Sequence, residues 1–265
     1  MNKASSNEFG ILILSYDGLS DLWPVTLSCF FDNLYYDECS YPVYFGSNEV
    51  PVEDPRVIPV LSGKDKDWSS SYRSILEQIP CNKLLVILED LIVDSPVQPS
   101  KFEELVKFGI EFNAKHIQYW TTLSKNLKSK NNLFFEIPNK MPYRSTVCGF
   151  WDKSYLMELL IPGENPWNFE IMGSYRTSYD SDFYVIKTPL CKFVNIIEKG
   201  CWTNESIVWA RQNNVQLNFS SRPITNNAHI LISKMKQYYF NSVMRIPWKY
   251  RIKIMNILRK AFISY

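Results

Sequence analysis

Residues 84–90 read Leu-Leu-Val-Ile-Leu-Glu-Asp, and this stretch constrains the fold more than any other part of the chain. Five consecutive apolar residues are typical of a strand buried on both faces of a mostly parallel sheet. In open α/β sheets, ligands bind at the carboxyl ends of such strands, so we expect Glu89 and Asp90 to lie at a binding site. Carboxylates there need a positive or proton-bearing partner, such as a divalent cation carrying nucleotide phosphates. The alternative is a solvated strand end or a helix cap.

Strands and helices alternate through the rest of the chain. We predict further strands at residues 9–15, 41–47, 56–60, 116–123, 133–137 and 192–197, with a polar surface turn at 124–132. The predicted helices lie around residues 24–36, from Asp67 or Ser69 onward, at 100–112 with Ser100 and Glu103 as a capping box, and from Thr203 to Arg211. This alternation predicts an α/β fold.

Composition excludes several kinds of site. The chain has 265 residues and is 46% hydrophobic, which suits one large domain with an appendage. The six cysteines form no CxxC pair and the two histidines lie far apart in sequence, so we exclude a zinc site and a histidine-based triad. The first residues lack a signal-peptide pattern and no long apolar run follows, which predicts a cytoplasmic protein with free thiols.

Two segments carry candidate nucleotide-binding residues. Tyr16-Asp17-Gly18 follows the first predicted strand, where an aromatic ring and a carboxylate suit a base and a ribose. Trp68 and Arg73 lie near a predicted helix start, where a phosphate would be favoured. The alternatives are that Tyr16 is packed, Asp17 is a turn residue, Trp68 is a core residue and Arg73 forms a surface ion pair.

A dense block of aromatic, small and acidic residues spans positions 148–174 and includes Trp151. Asn165 and Pro166 suit the start of a helix on which Trp167 and Glu170 share a face. A ring beside a carboxylate suits a sugar acceptor, and the carboxylate could remove a proton from an attacking hydroxyl. We therefore take Glu170 as the candidate base and Glu164 as the second candidate. The alternative is that Trp167 lies in the core and Glu170 caps the helix or pairs with Arg176.

The order of these motifs resembles bacterial glycosyltransferases of the GT-A fold, in particular those that build O-antigen and capsular polysaccharides. The resemblance covers roughly residues 9–215 and implies a Rossmann-like, mostly parallel sheet flanked by helices. It implies a nucleotide-sugar donor, and it places Glu89-Asp90 where the family has its Asp-X-Asp motif for Mn²⁺ or Mg²⁺. It also implies that Trp151, Trp167 and Glu170 face the acceptor. The chain departs from the family in having Glu-Asp instead of Asp-X-Asp, with Asp94 following.

The last part of the chain differs in charge. No acidic residue follows Glu205, whereas ten Lys and Arg do, so residues 1–205 carry 19 basic and 27 acidic side chains. Residues 245–262 mix basic, aromatic and aliphatic side chains, which suits a helix on an anionic membrane surface. We therefore divide the chain into a domain at 1–225 and a basic helical extension at 226–265. The alternative is that the segment packs on its own domain or on a second subunit; no nucleic-acid motif accompanies the charge.

Three classes of function are consistent with these features. The first is a glycosyltransferase, inverting if Glu170 acts as base, that uses a UDP-linked donor and a lipid-linked or oligosaccharide acceptor at the inner face of the cytoplasmic membrane. The second is a nucleotidyltransferase acting on sugar phosphates, for which we would expect a Gly-rich, basic loop after the first strand. The third is a non-catalytic sugar-binding or assembly protein with a degenerate site.

Overall fold

The computed structural model describes residues 8–119, 127–137, 148–198 and 200–225, together with Met235, Tyr238, Ser242, Tyr250 and Lys253. The chain divides into two compact units, Met1–Ile196 and Ile197–Tyr265. The division at residue 225 that the sequence suggested stays a prediction.

The first unit is an α/β layered structure whose elements follow the predicted alternation. Its strands are β1 Phe9–Leu14, β2 Val43–Ser47, β3 Ile58–Leu61, β4 Lys83–Leu88, β5 Leu91–Val93, β6 His116–Gln118, β7 Lys128–Ser129, β8 Phe134–Ile137, β9 Cys148–Asp152, β10 Phe183–Ile186 and β11 Phe193–Asn195. Its helices are α1 Trp23–Asn33, α2 Trp68–Gln78, α3 Pro99–Glu111, α4 Lys153–Leu159 and α5 Pro166–Arg176, with a 3-10 segment at Asp17–Leu22.

The central sheet is mostly parallel. Its described strands lie in the order β3-β2-β1-β4-β9-β6-β10-β8-β7. Strands β1 to β4 are parallel, and β9 runs antiparallel to both β4 and β6, while β10 is parallel to β6 and β8 is antiparallel to β10. In the central pair, Phe9 of β1 lies beside Lys83 and Leu14 lies beside Leu88, so β1 and β4 end at the same edge.

Helices cover both faces of the sheet, because successive side chains of a strand point to opposite faces. Phe9, Ile11 and Ile13 of β1 face one core, which α1 and α3 complete. Leu12 and Leu14 face a second core, which α2, α4 and α5 complete. The strands therefore carry continuous apolar sequences instead of an alternating pattern, as expected for a sheet that is buried on both sides.

Three predicted helix caps are confirmed and one is wrong. The side chains of Asp67, Asn165 and Thr203 accept N–H groups at the starts of α2, α5 and the later helix Asn204–Gln212. The Ser100–Glu103 capping box does not form, because α3 already begins at Pro99 and its N-cap makes no side-chain bond.

The second unit begins with a short hairpin. Its strands β12, Ile197–Glu198, and β13, Cys201–Trp202, pair antiparallel, and helix α6 spans Asn204–Gln212. Trp202 lies opposite Ile197 in this hairpin, and Cys201 lies opposite Glu198. Trp202 is fully buried, and its backbone N–H donates to the Pro223 carbonyl at 2.9 Å. It thereby organises the described part of this unit.

Candidate functional site

A crevice is expected where β1 and β4 lie side by side. From β1 the chain proceeds to β2 and β3 on one side, and then returns to add β4 on the other side of β1. The strand order therefore reverses between β1 and β4, and ligands of open α/β sheets bind at the carboxyl edge beside such a point. Tyr16 and Asp17 follow β1 there, and Glu89 and Asp90 follow β4.

The backbone of the two acids is firmly held. The Glu89 N–H donates to the Leu14 carbonyl at 3.3 Å, and the Glu89 carbonyl accepts the Thr26 hydroxyl at 2.7 Å. The Asp90 carbonyl accepts the Ile196 N–H at 2.9 Å. Immediately afterwards, β5 pairs antiparallel with β11. These bonds fix where the two carboxyl groups leave the sheet edge.

The electrostatics of this pair favour a positive partner. Glu89 is buried, with 6% of its surface exposed, and Asp90 is partly exposed. Burial raises the pKa of Glu89 well above its usual value, and the adjacent Asp90 carboxylate raises it further. Burial also raises the pKa of Asp90 to about 7. Adjacent carboxylates that resist ionisation are stabilised by a cation, and their oxygens suit Mg²⁺ or Mn²⁺.

Asp94 does not extend this pair. It lies beyond β5, where its carboxylate forms an ion pair with the Lys192 Nζ at 3.0 Å. Among the residues that the structure describes, no group of three or more His, Cys, Asp and Glu side chains is placed to hold a metal ion. If a cation binds at this edge, its candidate protein ligands among the described residues are therefore Asp90 and Glu89.

Asp17 ties two loops together at the same edge. Its carboxylate accepts the N–H groups of Asn48 and Glu49, both at 3.0 Å, and of Val50 at 3.2 Å. Its own N–H donates to the Asn48 side chain at 3.3 Å. Asp17 thus holds the loop after β2 against the loop after β1. Its contact with a donor stays a prediction.

The Tyr16 ring is exposed to solvent beside the loops that Asp17 holds together. The side chain is 48% exposed and rests on Gly18, where an added Cβ would meet the Tyr16 ring at 2.4 Å. Gly18 is therefore needed for the present position of the ring. An exposed ring at the carboxyl edge of β1 can stack on a flat ligand.

The start of α2 offers no free donors for a phosphate at its second to fourth residues. The N–H groups of Ser69, Ser70 and Ser71 already donate to Glu164 or Asp67 oxygens. Trp68 is half-buried, with its ring 5.4 Å from the Phe169 ring. Arg73 lies in the second turn, where its guanidinium donates to the Met157 carbonyl at 2.8 Å. These contacts favour packing roles for Trp68 and Arg73.

The block at 148–174 separates into buried and exposed members. Trp151 is 2% exposed and its ring lies 4.0 Å from the His116 ring, so no acceptor can stack on it. Trp167, in contrast, is 57% exposed at the start of α5. Glu170 lies one turn later and is buried. This arrangement retains Trp167 and Glu170 as candidates and removes Trp151. The predicted shared face is wrong, because Trp167 is exposed to solvent whereas Glu170 is buried.

Glu164, the second candidate base, is engaged in an ion pair. Both of its carboxylate oxygens accept guanidinium N–H groups from Arg176, at 2.8 and 2.9 Å. Arg176 also donates to the Leu159 carbonyl at 2.8 Å. Arg176 therefore pairs with Glu164. The alternative drawn from the sequence, that Arg176 pairs with Glu170, is wrong. A bidentate pair of this kind holds the loop before α5 in place.

Three polar residues at the edge were not singled out from the sequence. Asn48 and Ser62 follow β2 and β3, and their side chains are hydrogen-bonded at 3.2 Å. Thr26, on α1, anchors the Glu89 carbonyl. The sequence does show that Asn48 and Ser62 each directly follow a strand, which could have indicated a site. Nothing in the sequence showed that these two side chains are hydrogen-bonded to each other or that Thr26 contacts Glu89.

The predicted membrane helix at 245–262 lies outside the described residues, apart from Tyr250 and Lys253. Three further predictions lie wholly or largely outside the described residues. They are the end of the predicted strand at 120–123, the start of the predicted turn at 124–126, and the helices predicted from Asn226 onward. In the described part of the chain, no helix combines the length and apolar character needed to cross a membrane.

The sequence matches no protein-family model and no curated protein. Among solved structures, UDP-glucose pyrophosphorylase in complex with UDP-glucose is similar, with a TM-score of 0.54 at 10% identity, over 78% of this chain and 98% of that one. S. aureus TarS is matched with a TM-score of 0.49 at 8% identity, over 81% of this chain and 41% of that one. TarS 1-349 in complex with UDP-GlcNAc gives 0.45 at 8% identity, over 70% and 57%.

The chain thus spans about half the length of the TarS chains that it matches. At these identities the likeness concerns the fold alone. The predicted α/β class, with a mostly parallel, GT-A-like central sheet flanked by helices, is confirmed.

Proposed function

We propose that this chain is a glycosyltransferase that moves a sugar from a nucleotide-sugar donor, with UDP as the expected nucleotide, to a saccharide acceptor. The observation that carries the proposal is the carboxyl pair Glu89-Asp90 after β4 and the exposed Tyr16 ring after the neighbouring strand β1, where the strand order reverses. The likeness in fold to a UDP-glucose pyrophosphorylase supports a nucleotide sugar as the ligand. In our proposal the acceptor is lipid-linked and belongs to bacterial surface polysaccharide synthesis.

On the donor side, the Tyr16 ring stacks on the nucleotide base and the Asp17 connection holds the surrounding loops. The diphosphate lies toward Asp90 and Glu89. A bound Mn²⁺ or Mg²⁺ on these carboxylates would supply positive charge to stabilise the leaving diphosphate. The raised pKa values of both groups are consistent with this assignment, because a nearby cation favours their ionised forms.

On the acceptor side, Glu170 serves as the general base. An acceptor hydroxyl attacks the anomeric carbon, the new C–O bond forms as the bond to the diphosphate oxygen breaks, and the hydroxyl proton passes to Glu170. The nucleoside diphosphate leaves with the electron pair. Attack opposite the leaving group inverts the anomeric configuration.

A nucleotidyltransferase acting on a sugar phosphate is the second candidate, and the TM-score of 0.54 to a pyrophosphorylase favours it. That reaction must stabilise a leaving pyrophosphate, for which a basic, Gly-rich loop after the first strand is suited. Residues 9–41 contain no Lys or Arg, and Gly18 is the one glycine after β1 in that interval. This absence in the sequence favours the glycosyltransferase.

The test combines ligand binding with product analysis. UDP-glucose or UDP-GlcNAc should raise the melting temperature of the full chain, more strongly with Mn²⁺ than without it, because a ligand of the folded state stabilises it. Turnover should release UDP and no pyrophosphate. Asp90→Asn should abolish release of UDP, while the matched Asp94→Asn should retain it. Release of pyrophosphate from UTP and a sugar phosphate would instead establish the second candidate.

A further inference from the structure

Helix α5 buries polar and small side chains and exposes large apolar ones, the reverse of an ordinary surface helix. Its inward face carries a buried carboxyl group, Glu170, and the small residues Gly173 and Ser174 beside Phe169. Its outward face carries large aromatic and aliphatic side chains instead. The exposed ones are Trp167 at 57%, Met172 at 42% and Tyr175 at 40%, followed past the helix end by Tyr179 at 83%.

This outward face also lacks free charge. Asn168 and Ile171 are the remaining members of the face, and Arg176 at its border is held by Glu164 in a bidentate ion pair. A surface helix ordinarily presents charged and polar residues to solvent. A contiguous exposed apolar patch instead marks a site of interaction.

We propose that the outward face of α5, formed by Trp167, Asn168, Ile171, Met172 and Tyr175 and extended by Tyr179, binds a neutral saccharide chain. Tyrosine and tryptophan rings offer a flat apolar surface with a polar tip, which suits the C–H faces and hydroxyls of a sugar. These six residues carry no positive charge and the bordering Arg176 is paired with Glu164, which disfavours anionic partners such as lipid headgroups. Trp167 and Tyr175 lie two turns apart, about 12 Å along the axis, so the face spans more than one sugar ring.

The position of α5 connects this face with the candidate site. Its first turn lies beside the start of α2 at the carboxyl edge, where the Ser69 N–H donates to the Glu164 carbonyl at 3.2 Å. The chain after α5 reaches the opposite edge, where the Lys115 N–H, just before β6, donates to the Asp182 carbonyl at 3.0 Å. The face therefore leads from the carboxyl edge toward the amino edge.

This inference rests on the proposed function and deepens it. If the acceptor end of a saccharide lies near Glu170, the sugars behind that end can lie along the outward face. The acceptor is then an oligosaccharide of several neutral sugars, and a monosaccharide is a poorer substrate.

The experiment titrates the full chain, saturated with UDP, with malto-, cello- and chito-oligosaccharides of one to six units, using calorimetry at millimolar ligand. We expect affinity to rise with chain length in at least one series. Trp167→Ala and Tyr175→Ala should each weaken binding of the longest ligand about tenfold. Phe112→Ala removes a comparably exposed ring (44%) at the residue after α3 and should leave binding unchanged. Equal melting temperatures confirm that the variants are folded.

Three results would overturn the proposal: no binding in any series, affinity that does not depend on chain length, or equal binding by all the variants. A wild-type dimer that Trp167→Ala converts to monomer in light scattering would make the face an interface between copies. Loss of binding to phosphatidylglycerol vesicles in the same variants would make it a membrane surface. If the chain binds UDP-glucose but no oligosaccharide, this inference is wrong and the proposed function stands. If the chain binds oligosaccharides but binds no nucleotide sugar, the proposed function is wrong and the saccharide-binding face stands.

Discussion

At the end of β4, Asp90 carries a pKa raised to about 7 by burial, whereas an unfolded chain gives aspartate its usual value near 4. Between these values the folded chain binds a proton that the unfolded chain has released. Stability from this group is therefore lost as pH rises from about 4 to 7. Burial of this carboxyl group therefore lowers stability at neutral pH, and a bound cation is expected to offset that loss.

Asp90→Asn should accordingly be more stable than the native chain at pH 8, on the order of 2 kcal/mol, and closer to it at pH 4. Urea denaturation at both pH values measures this difference. Asp94→Asn, which removes an ion pair with an exposed lysine, should change stability by about 0.5 kcal/mol or less. Equal pH dependence in Asp90→Asn and the native chain would contradict the assignment of the raised pKa.

Glu170 and Glu164 provide a matched pair on the acceptor side. Glu170→Gln should lower turnover by about two to four orders of magnitude and leave UDP affinity unchanged, because a general base acts in the chemical step. Glu164→Gln should retain turnover and lose about 1 kcal/mol of stability, since it breaks the partly buried pair with Arg176. Initial rates and thermal melts separate the two effects. The opposite pattern would make Glu164 the base.

At the scale of elements, local sequence patterns predicted the existence of β1 to β4 and α1 to α3 and placed most of their ends within a residue or two. The buried runs and caps are local signals, so Asp67 and Asn165 could be assigned correctly. The predicted capping box at Ser100 and Glu103 does not form, because α3 begins one residue earlier, at Pro99. The Glu103 carboxylate instead accepts the Tyr41 hydroxyl at 2.7 Å, and Tyr36 donates to it as well.

The candidate site shows the same limit. The strand end with Glu89 and Asp90 was found from a contiguous pattern. The partners of Asp17, 31 to 33 residues away, could not be found this way, because hydrogen bonds between distant loops leave no periodicity in one sequence. The assignment of Trp151 to an acceptor was wrong for a related reason. A high density of aromatic residues in a sequence does not show which rings are buried and which are exposed.

Helix α3 approaches the sheet closely through Gly109. A Cβ added there would lie 2.3 Å from the Phe150 ring of β9. Gly109→Ala gains about 1 kcal/mol in helix propensity, but overpacking a buried contact costs about 1–3 kcal/mol, and we expect the clash to dominate. Chemical denaturation should show net destabilisation, whereas Lys107→Ala on the exposed side of α3 should be nearly neutral. A more stable Gly109→Ala chain would show that Phe150 can move aside.

At the scale of the whole molecule, the carboxyl edge gathers the loops after β1, β2, β3 and β4, while the basic charge lies elsewhere in the sequence. Eight of the ten Lys and Arg after Glu205 follow Thr225. In the second unit, the Thr225 N–H donates to the Trp202 carbonyl at 2.9 Å. A chain ending at Thr225 therefore keeps every described contact of this hairpin and helix.

We predict that the segment after Thr225 attaches the chain to anionic membranes by charge. Each Lys or Arg near an anionic leaflet contributes about 1 kcal/mol, so several together give reversible attachment without insertion. Charge attraction is screened by salt, whereas apolar packing is not. The full chain should float with phosphatidylglycerol vesicles at low salt and be released at high salt. The chain ending at Thr225 should stay folded and not float. A full chain that fails to float at low salt refutes attachment, and an unfolded shorter chain assigns the segment to folding, as the packed-helix alternative requires.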